Sequence, residues 1–214
     1  MKQNNKILVT GASGNLGSKV ATRLIAMGNL VRVSGRSAHK MNGFIETAEI
    51  LLGNLENEAA LQSNMEGVKS VFLVLPHLEK LTLKEFSDLF IEKAKLAGVS
   101  HVVNISNCTL ARWGKPTILL EFEQHLNKAH GLNIKHLRCA NFFENLNWGI
   151  NTPYKEDIKL PYISSFEIAH IAASYLVDAN FTGISTDELM GREDYTMGDF
   201  ARMLGMRYKR LPMK

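Results

Sequence analysis

The chain has few cysteines and prolines and lacks long apolar stretches. Among 214 residues, Cys108 and Cys139 form neither a C-x-x-C pair nor a repeated spacing, which gives no support for a disulfide framework or a cysteine metal site. We interpret both as reduced thiols and expect no bound metal. The longest apolar runs, such as residues 71–75, are far shorter than the roughly 20 residues of a transmembrane helix. Together with the polar residues 1–6, this predicts a cytoplasmic protein without a membrane anchor.

Acidic residues are absent from the first 45 positions, since Glu46 is the first in the chain. Seven lysines and arginines precede it, so this segment carries +7 whereas the whole chain carries +4. The asymmetry indicates either an anionic partner near the N-terminal segment or a solvated basic face. No helix-turn-helix or RNA-recognition signature accompanies these charges, and we expect no nucleic-acid partner.

Short runs rich in β-branched residues alternate with longer stretches of helical periodicity, which is typical of βαβ units. The sequence therefore predicts one α/β domain over residues 1–214 with a Rossmann-like, doubly wound parallel sheet. Its dinucleotide-binding core is expected over about residues 1–145, followed by a small, abbreviated C-terminal elaboration. Strands are predicted at residues 6–10, 29–34, 49–52, 68–75, 101–106 and 134–138. Helices are predicted after the first strand, at residues 58–65, 83–97, 121–129 and 167–177, and after Thr196.

A glycine-rich turn lies between the first predicted strand and its helix. Gly11, Gly14 and Gly17 form a G-x-x-G-x-x-G pattern. Glycine is needed where the backbone turns sharply, approaches a pyrophosphate closely and lets a helix pack against a strand. The helix N-terminus then presents free amides and a positive dipole end to the phosphates. The pattern predicts a dinucleotide-binding turn.

The end of the second predicted strand distinguishes between the two nicotinamide cofactors. An NAD-binding turn is usually followed, about 20 residues later, by an acid that holds the ribose 2′-hydroxyl. Here the chain has Arg36 and no acid, and the forked guanidinium suits a 2′-phosphate. Ser34, Ser37 or Lys40 could assist it. We therefore predict a preference for NADP(H) over NAD(H).

Several sequence pieces resemble the NmrA-like branch of the atypical short-chain dehydrogenase/reductase superfamily, over nearly the whole chain. They are V-T-G-A-S-G-N-L-G at residues 9–17, Arg36, G-N-L at 53–55, M-E-G-V at 65–68, R-C-A-N-F-F-E-N at 138–145, Y-I-S-S-F-E-I-A at 162–169, G-I-S-T-D-E-L-M-G at 183–191 and Y-T-M at 195–197. The resemblance implies a Rossmann-like NAD(P)-binding protein.

The resemblance also implies a set of cofactor-binding residues. The residues at the pyrophosphate are Gly11, Ser13, Gly14, Asn15, Leu16 and Gly17, and the residue at the adenosine phosphate is Arg36. The adenine would lie beside Asn54 and Leu55, and the ribose would lie along Leu75, Pro76 and His77. The nicotinamide would lie beside Ser106, Asn141 and Phe142. Asn54 stands where relatives commonly have Asp, a change that keeps a hydrogen-bonding side chain.

The chain lacks the Tyr-x-x-x-Lys pair in which reductases of the wider superfamily resemble one another. None of the five tyrosines has a lysine four positions later, so the sequence argues against alcohol oxidation through a Tyr/Lys relay. Relatives often have a lysine about four residues before the glutamate that matches Glu123, where this chain has Leu119 and Leu120. We interpret Glu123 as structural.

Two functions remain open. The first, which we favour, is an NADPH-dependent oxidoreductase of quinone-like or conjugated carbonyl acceptors, because hydride addition to a quinone gives a stabilised phenolate that takes its proton from water. Ser106 and His77 are candidate donors, and His125 is a weaker one. The alternative is a non-catalytic NADP(H)-sensing regulatory protein that binds a protein partner. Its interface could include Met203, Leu204 and Met206, although helical spacing favours a buried core position for such residues.

Overall fold

Twelve strands and six α-helices are found in the part of the chain that the computed structural model describes, residues 6–107 and 114–212. The strands are β1 (Lys6–Val9), β2 (Val31–Gly35), β3 (Glu49–Leu52), β4 (Val68–Leu73), β5 (His101–Asn107), β6 (Asn133–Cys139), β7 (Asn141–Phe142), β8 (Ile150–Thr152), β9 (Leu160–Ile163), β10 (Ile184–Leu189), β11 (Asp194–Tyr195) and β12 (Tyr208–Arg210). The helices are α1 (Asn15–Ala26), α2 (Glu58–Met65), α3 (Leu83–Leu96), α4 (Ile118–Leu126), α5 (Ser165–Asp178) and α6 (Met197–Leu204). Two 3₁₀ segments cover His39–Phe44 and Phe143–Trp148.

Seven parallel strands form the central sheet, in the order β3-β2-β1-β4-β5-β6-β10. The strand order reverses its direction of growth at β1 and β4, which is the position of ligand sites in open parallel sheets. The predicted Rossmann-like, doubly wound sheet is confirmed.

Each face of the sheet has its own apolar core because successive strand residues point to opposite faces. Ile7 and Val9 pack with the apolar stripes of α1 and α5. Leu8, between them, packs on the other face with residues of α2, α3 and α4. Leu16 and Leu24, one face of α1, are buried in the first of these cores.

The C-terminal residues add two small sheets beside the central one. One has the order β11-β9-β7, and the other pairs β12 with β8. Their apolar cluster consists of Ile150, Tyr162, Met197 and Phe200. The ring centroids of Tyr162 and Phe200 lie 4.7 Å apart in it.

Several element boundaries differ from the sequence prediction because of caps and one side-chain hydrogen bond. Helix α4 begins three residues earlier than predicted, since Thr117 caps it by accepting the Leu120 amide (3.3 Å). Strand β4 ends at Leu73 instead of residue 75, because the Val74 amide donates to the Thr10 hydroxyl (2.8 Å). The helix predicted after Thr196 is confirmed as α6, and Thr196 caps it in a capping box with Asp199.

Cys139 is buried at the end of β6, and Cys108 lies outside the described residues. Within those described ranges, every helix is too short or too polar to cross a membrane.

Candidate cofactor-binding site

The glycine turn after β1 has a geometry that only glycine satisfies at two positions. Gly11 has a φ of +64°, in the left-handed region that favours glycine. A Cβ atom on Gly17 would lie 2.3 Å from the Gly11 carbonyl oxygen, closer than atoms can approach. The turn therefore brings the start of α1 directly against the end of β1.

The N-terminus of α1 is free to bind an anion. Its N-cap residue is Gly14, which provides no side-chain hydrogen bond, and no acidic residue lies in the first turn. The first amides of the helix therefore have no intrahelical or capping partner there, and the positive end of the helix dipole is not neutralised. Both features fit a pyrophosphate.

A cleft with about 560 Å³ of empty volume lies beside this turn, at the carboxyl ends of β1, β2, β3 and β4. Eight of the predicted cofactor-binding residues line it: Gly11, Ser13, Arg36, Asn54, Leu55, Leu75, Pro76 and His77. Ser34, Gly35, Gly53 and Val74 complete the lining. These residues come from four separate segments of the chain, and the fold brings them together at the point where the strand order reverses.

Thr10 joins the two strands that form the floor of the cleft. Its hydroxyl donates to the Phe72 carbonyl (3.1 Å) and accepts the Val74 amide (2.8 Å). Because Thr10 is buried, these bonds fix the spacing between the end of β1 and the segment after β4. Sequence analysis did not single out this residue.

Glu56 fixes one wall of the cleft. Its buried carboxylate accepts the backbone amides of Leu81 and Lys80 (both 2.8 Å) and of Glu79 (3.0 Å). These amides, that of Leu81 first, lower the pKa of Glu56 to about 2. The Asn54 side-chain amide also donates to the Glu56 carboxylate (3.2 Å), and the Asn54 side-chain oxygen accepts the Glu56 backbone N–H (3.1 Å). The loop after β3 thereby holds the loop after β4.

We expect Glu56→Gln to lower the melting temperature by several degrees at pH 7. The folded-state pKa of Glu56 lies below its usual value of 4.5, so its ionised form stabilises the fold above about pH 4.5. That contribution is lost as the pH falls towards 2. Thermal unfolding between pH 2 and pH 7 should therefore show that the difference in melting temperature between wild type and variant becomes smaller as the pH falls. Glu121→Gln, which replaces an exposed carboxylate on α4, is the matched control. A difference in melting temperature between wild type and Glu56→Gln that stays constant with pH would contradict the stabilising role of the ionised Glu56.

Arg36 lies at the mouth of the cleft, where its Nη1 forms an ion pair with the Oε1 of Glu79 (3.2 Å). Both side chains are more than half exposed, at 59% and 54%. Sequence analysis missed Glu79, which is 43 residues away in the chain. No spacing rule connects the two positions.

The remaining predicted residues do not line this cleft. Gly14 and Asn15 are exposed at the start of α1, while Leu16 and Gly17 are buried in it. The Asn141 side-chain amide donates to the Pro161 carbonyl (3.4 Å), and Phe142 follows it in β7. Their predicted place beside the nicotinamide stays a prediction.

The candidate proton donors differ in position. His77 lines the cleft, whereas His125 is in the last turn of α4 and does not. Ser106 is buried in β5 and is likewise absent from the cleft lining. Of the three, only His77 is therefore placed to contact a ligand in this cleft.

Glu123 belongs to a buried polar network rather than to the cleft. Arg138 binds its carboxylate through two nitrogens, at 2.5 and 3.1 Å. Burial opposes ionisation of Glu123, but the Arg138 guanidinium more than offsets it, and the pKa of this carboxyl lies below its usual value. Burial also lowers the pKa of His136 to about 4. The neutral His136 ring bonds Asn104 (3.1 Å) and Asn127 (3.0 Å), as expected of a structural network.

Comparison with known proteins agrees with this geometry. The sequence profile of a family described as NAD(P)H-binding matches residues 11–150, from the glycine turn to the first residue of β8. The chain belongs to this NAD(P)H-binding family. The match covers more than half of the chain and includes every residue that lines the cleft.

One curated protein and two solved structures illustrate the relationships of this family member. The uncharacterized oxidoreductase YesF of Bacillus subtilis (strain 168) is 27% identical over an alignment of 191 positions that covers 83% of this chain and 63% of that protein. The chain thus spans less than two thirds of that relative. An NADPH-dependent quinone oxidoreductase of Escherichia coli, complexed with NADPH, superposes with a TM-score of 0.77 at 22% identity, covering 96% of this chain and 78% of the other.

The negative transcriptional regulator NmrA, solved with NAD, superposes with a TM-score of 0.75 at 17% identity, covering 99% of this chain and 75% of NmrA. At these identities the two structures establish the shared fold. Together with the family match, they agree with an NAD(P)H-binding protein that has a Rossmann-like fold.

Proposed function

We propose that the chain is a cytoplasmic NADPH-dependent oxidoreductase that reduces quinone-like or conjugated carbonyl acceptors. The observation that carries the proposal is the cleft itself, where the glycine turn, the uncapped α1 and Arg36 lie together at the reversal of strand order. The names of YesF and of the Escherichia coli quinone oxidoreductase support the reaction class.

The lining residues fit an NADP(H) molecule. The glycine turn and the first amides of α1 would hold the pyrophosphate, and Arg36 would hold the 2′-phosphate through its forked donors. Asn54 and Leu55 would contact the adenine, with the Asn54 amide already oriented by Glu56. When bound, the cofactor supplies the hydride.

The acceptor class follows from what the chain provides for proton transfer. None of its tyrosines has the lysine partner that lowers a phenol pKa, and the Tyr175 pKa is raised to about 12, chiefly because its hydroxyl donates to Asp187. An acceptor whose reduced form is a stabilised anion needs no strong protein acid, because water supplies the proton. Quinones have this property, and His77 in the cleft is the side chain placed to assist.

We expect the protein, saturated with NADPH, to oxidise it above the protein-free rate when offered a panel of quinones and conjugated aldehydes. Loss of the nicotinamide absorbance measures this. Arg36→Ala should raise the KM for NADPH about 10- to 100-fold with little change in kcat, because it removes a charge-assisted contact to the nonreacting part of the cofactor. Lys128→Ala, which removes an exposed cation beyond the end of α4 and outside the cleft lining, is the control. Tight NADPH binding with no turnover across the panel would contradict the proposal.

That outcome would favour the second candidate, an NADP(H)-sensing protein that binds a protein partner. One observation supports it. The expectation that Met203, Leu204 and Met206 are core residues is wrong: they are 60%, 48% and 40% exposed, beside the ring of Phe200. An apolar surface of this kind is typical of interaction sites.

A further inference from the structure

We infer that Glu79 sets the cofactor preference of the cleft by competing with a ribose 2′-phosphate for Arg36. The inference rests on the proposed function, in which Arg36 is the 2′-phosphate ligand. It adds a specificity-determining residue that comes from the loop after β4 and not from the end of β2, where such residues are usually sought.

Hydrogen bonds from its backbone amide fix the position of Glu79 in the loop. Both carboxylate oxygens of Glu56 accept the Glu79 amide (3.0 Å each), and one of them also accepts the next two amides. With a pKa of about 2, Glu56 keeps this anchor charged throughout the physiological range. The Glu79 carboxylate is thereby presented to Arg36 across the mouth of the cleft.

The charge balance of the cleft makes this contact important. Among the described residues that line it, Arg36 carries the one permanent positive charge, and His77 is the only other titratable group. A 2′-phosphate that enters the cleft meets a guanidinium already neutralised by a carboxylate. It must either displace Glu79 or bind beside it against like-charge repulsion, and each alternative weakens NADPH binding.

The same carboxylate favours the cofactor without the phosphate. The segment after β2 offers no acid for a ribose 2′-hydroxyl, but Glu79, 3.2 Å from the Arg36 guanidinium, brings an acceptor to that place. Because the ion pair is more than half exposed, it weakens NADPH binding without abolishing it. We therefore expect the wild-type protein to bind both NADPH and NADH.

The experiment is a titration of NADPH and NADH by nicotinamide fluorescence for the wild type, Glu79→Gln, Arg36→Ala and the double variant. Glu79→Gln should tighten NADPH binding about tenfold at low salt and less at high salt, since a repulsive charge is removed. NADH binding should change by less than about twofold, because the glutamine amide oxygen still accepts a hydrogen bond. Glu121→Gln is the control for the change in net charge.

The arms of this experiment separate the two claims. If Arg36→Ala leaves NADPH binding unchanged, the proposed cofactor site is wrong. If Arg36→Ala weakens NADPH binding but Glu79→Gln behaves like Glu121→Gln, the site stands and the role of Glu79 is overturned. The role of Glu79 is also overturned if Glu79→Gln tightens NADPH binding equally in the wild-type and Arg36→Ala backgrounds, because the effect would then be independent of the ion pair.

Discussion

Replacing Arg138 with methionine should lower the free energy of unfolding by about 3–5 kcal/mol at neutral pH, because it leaves a buried carboxylate without its counter-ion. Glu123 has a side chain that is only 4% exposed, and Arg138 provides two of its hydrogen bonds. In the wild type, the nearby His136 ring contributes no charge at neutral pH, because burial lowers its pKa to about 4. Urea unfolding measures the loss.

The pH dependence of this variant should be opposite in sign to that of the wild type. In the wild type, the lowered pKa of Glu123 stabilises the fold above its usual value of 4.5, and this is lost below it. Without Arg138, burial is the largest remaining influence and raises the pKa of Glu123, so the destabilisation is greatest at high pH and shrinks as protonation neutralises the carboxyl. Unfolding at pH 5 and pH 7.5 should show this difference.

A second variant tests the cause. Replacing both partners, with Glu123→Leu and Arg138→Met together, removes the buried charge and should restore most of the lost stability. A double variant as unstable as Arg138→Met alone would show that packing of the arginine side chain, or its longer contact with Glu188 (3.9 Å), accounts for the effect.

Gly17→Ala should destabilise the protein by about 3 kcal/mol and abolish measurable NADPH binding, because overpacking forces the backbone to move. The added methyl group would meet the carbonyl oxygen, the carbonyl carbon and the next amide nitrogen of the Gly11 turn, at 2.3, 2.6 and 3.0 Å. These are backbone atoms and cannot rotate away. Any relief shifts α1 from β1, which displaces the amides that the pyrophosphate needs.

Gly43→Ala provides the matched control. A methyl group added to Gly43 would have no atom within 4 Å, and this residue lies in the 3₁₀ segment away from the cleft lining. The variant should unfold and bind NADPH like the wild type. A Gly17→Ala variant with wild-type stability and affinity would contradict the close approach of α1 to the turn.

The sequence predicts most elements with buried, apolar patterns but misses the polar edge strand β10 and the short strands of the two small sheets. Strand β1 contains the run Ile-Leu-Val and β4 ends in Val-Phe-Leu, and such buried apolar runs indicate strands, whereas β10 reads Ile-Ser-Thr-Asp-Glu-Leu. It lies at the sheet edge and pairs only with β6, and its residues alternate between exposed and half-buried. Strand β10 forms because it pairs with β6 in the folded protein, and the local periodicity of the sequence does not predict that pairing.

The candidate site divides in the same way. The glycine turn and Arg36 carry local signals, because a tight turn and a strand end constrain residue type at fixed spacing. Glu56 and Glu79 carry none. Their roles arise from two loops, 23 residues apart in sequence, that meet only when β1 pairs with β4. No periodicity or motif encodes that meeting.

The strand order has a consequence for how a growing polypeptide can assemble. After β1, the strands β2 and β3 add in turn to one edge, and β4, β5 and β6 then add in turn to the other, so each newly synthesised strand finds an existing edge. Helix α1 is the exception. Its apolar face packs against α5, which is synthesised more than a hundred residues later. The helix that begins at the cofactor turn therefore keeps part of its apolar face exposed until α5 is synthesised, and exposed surface of this kind is what makes a nascent chain prone to aggregate.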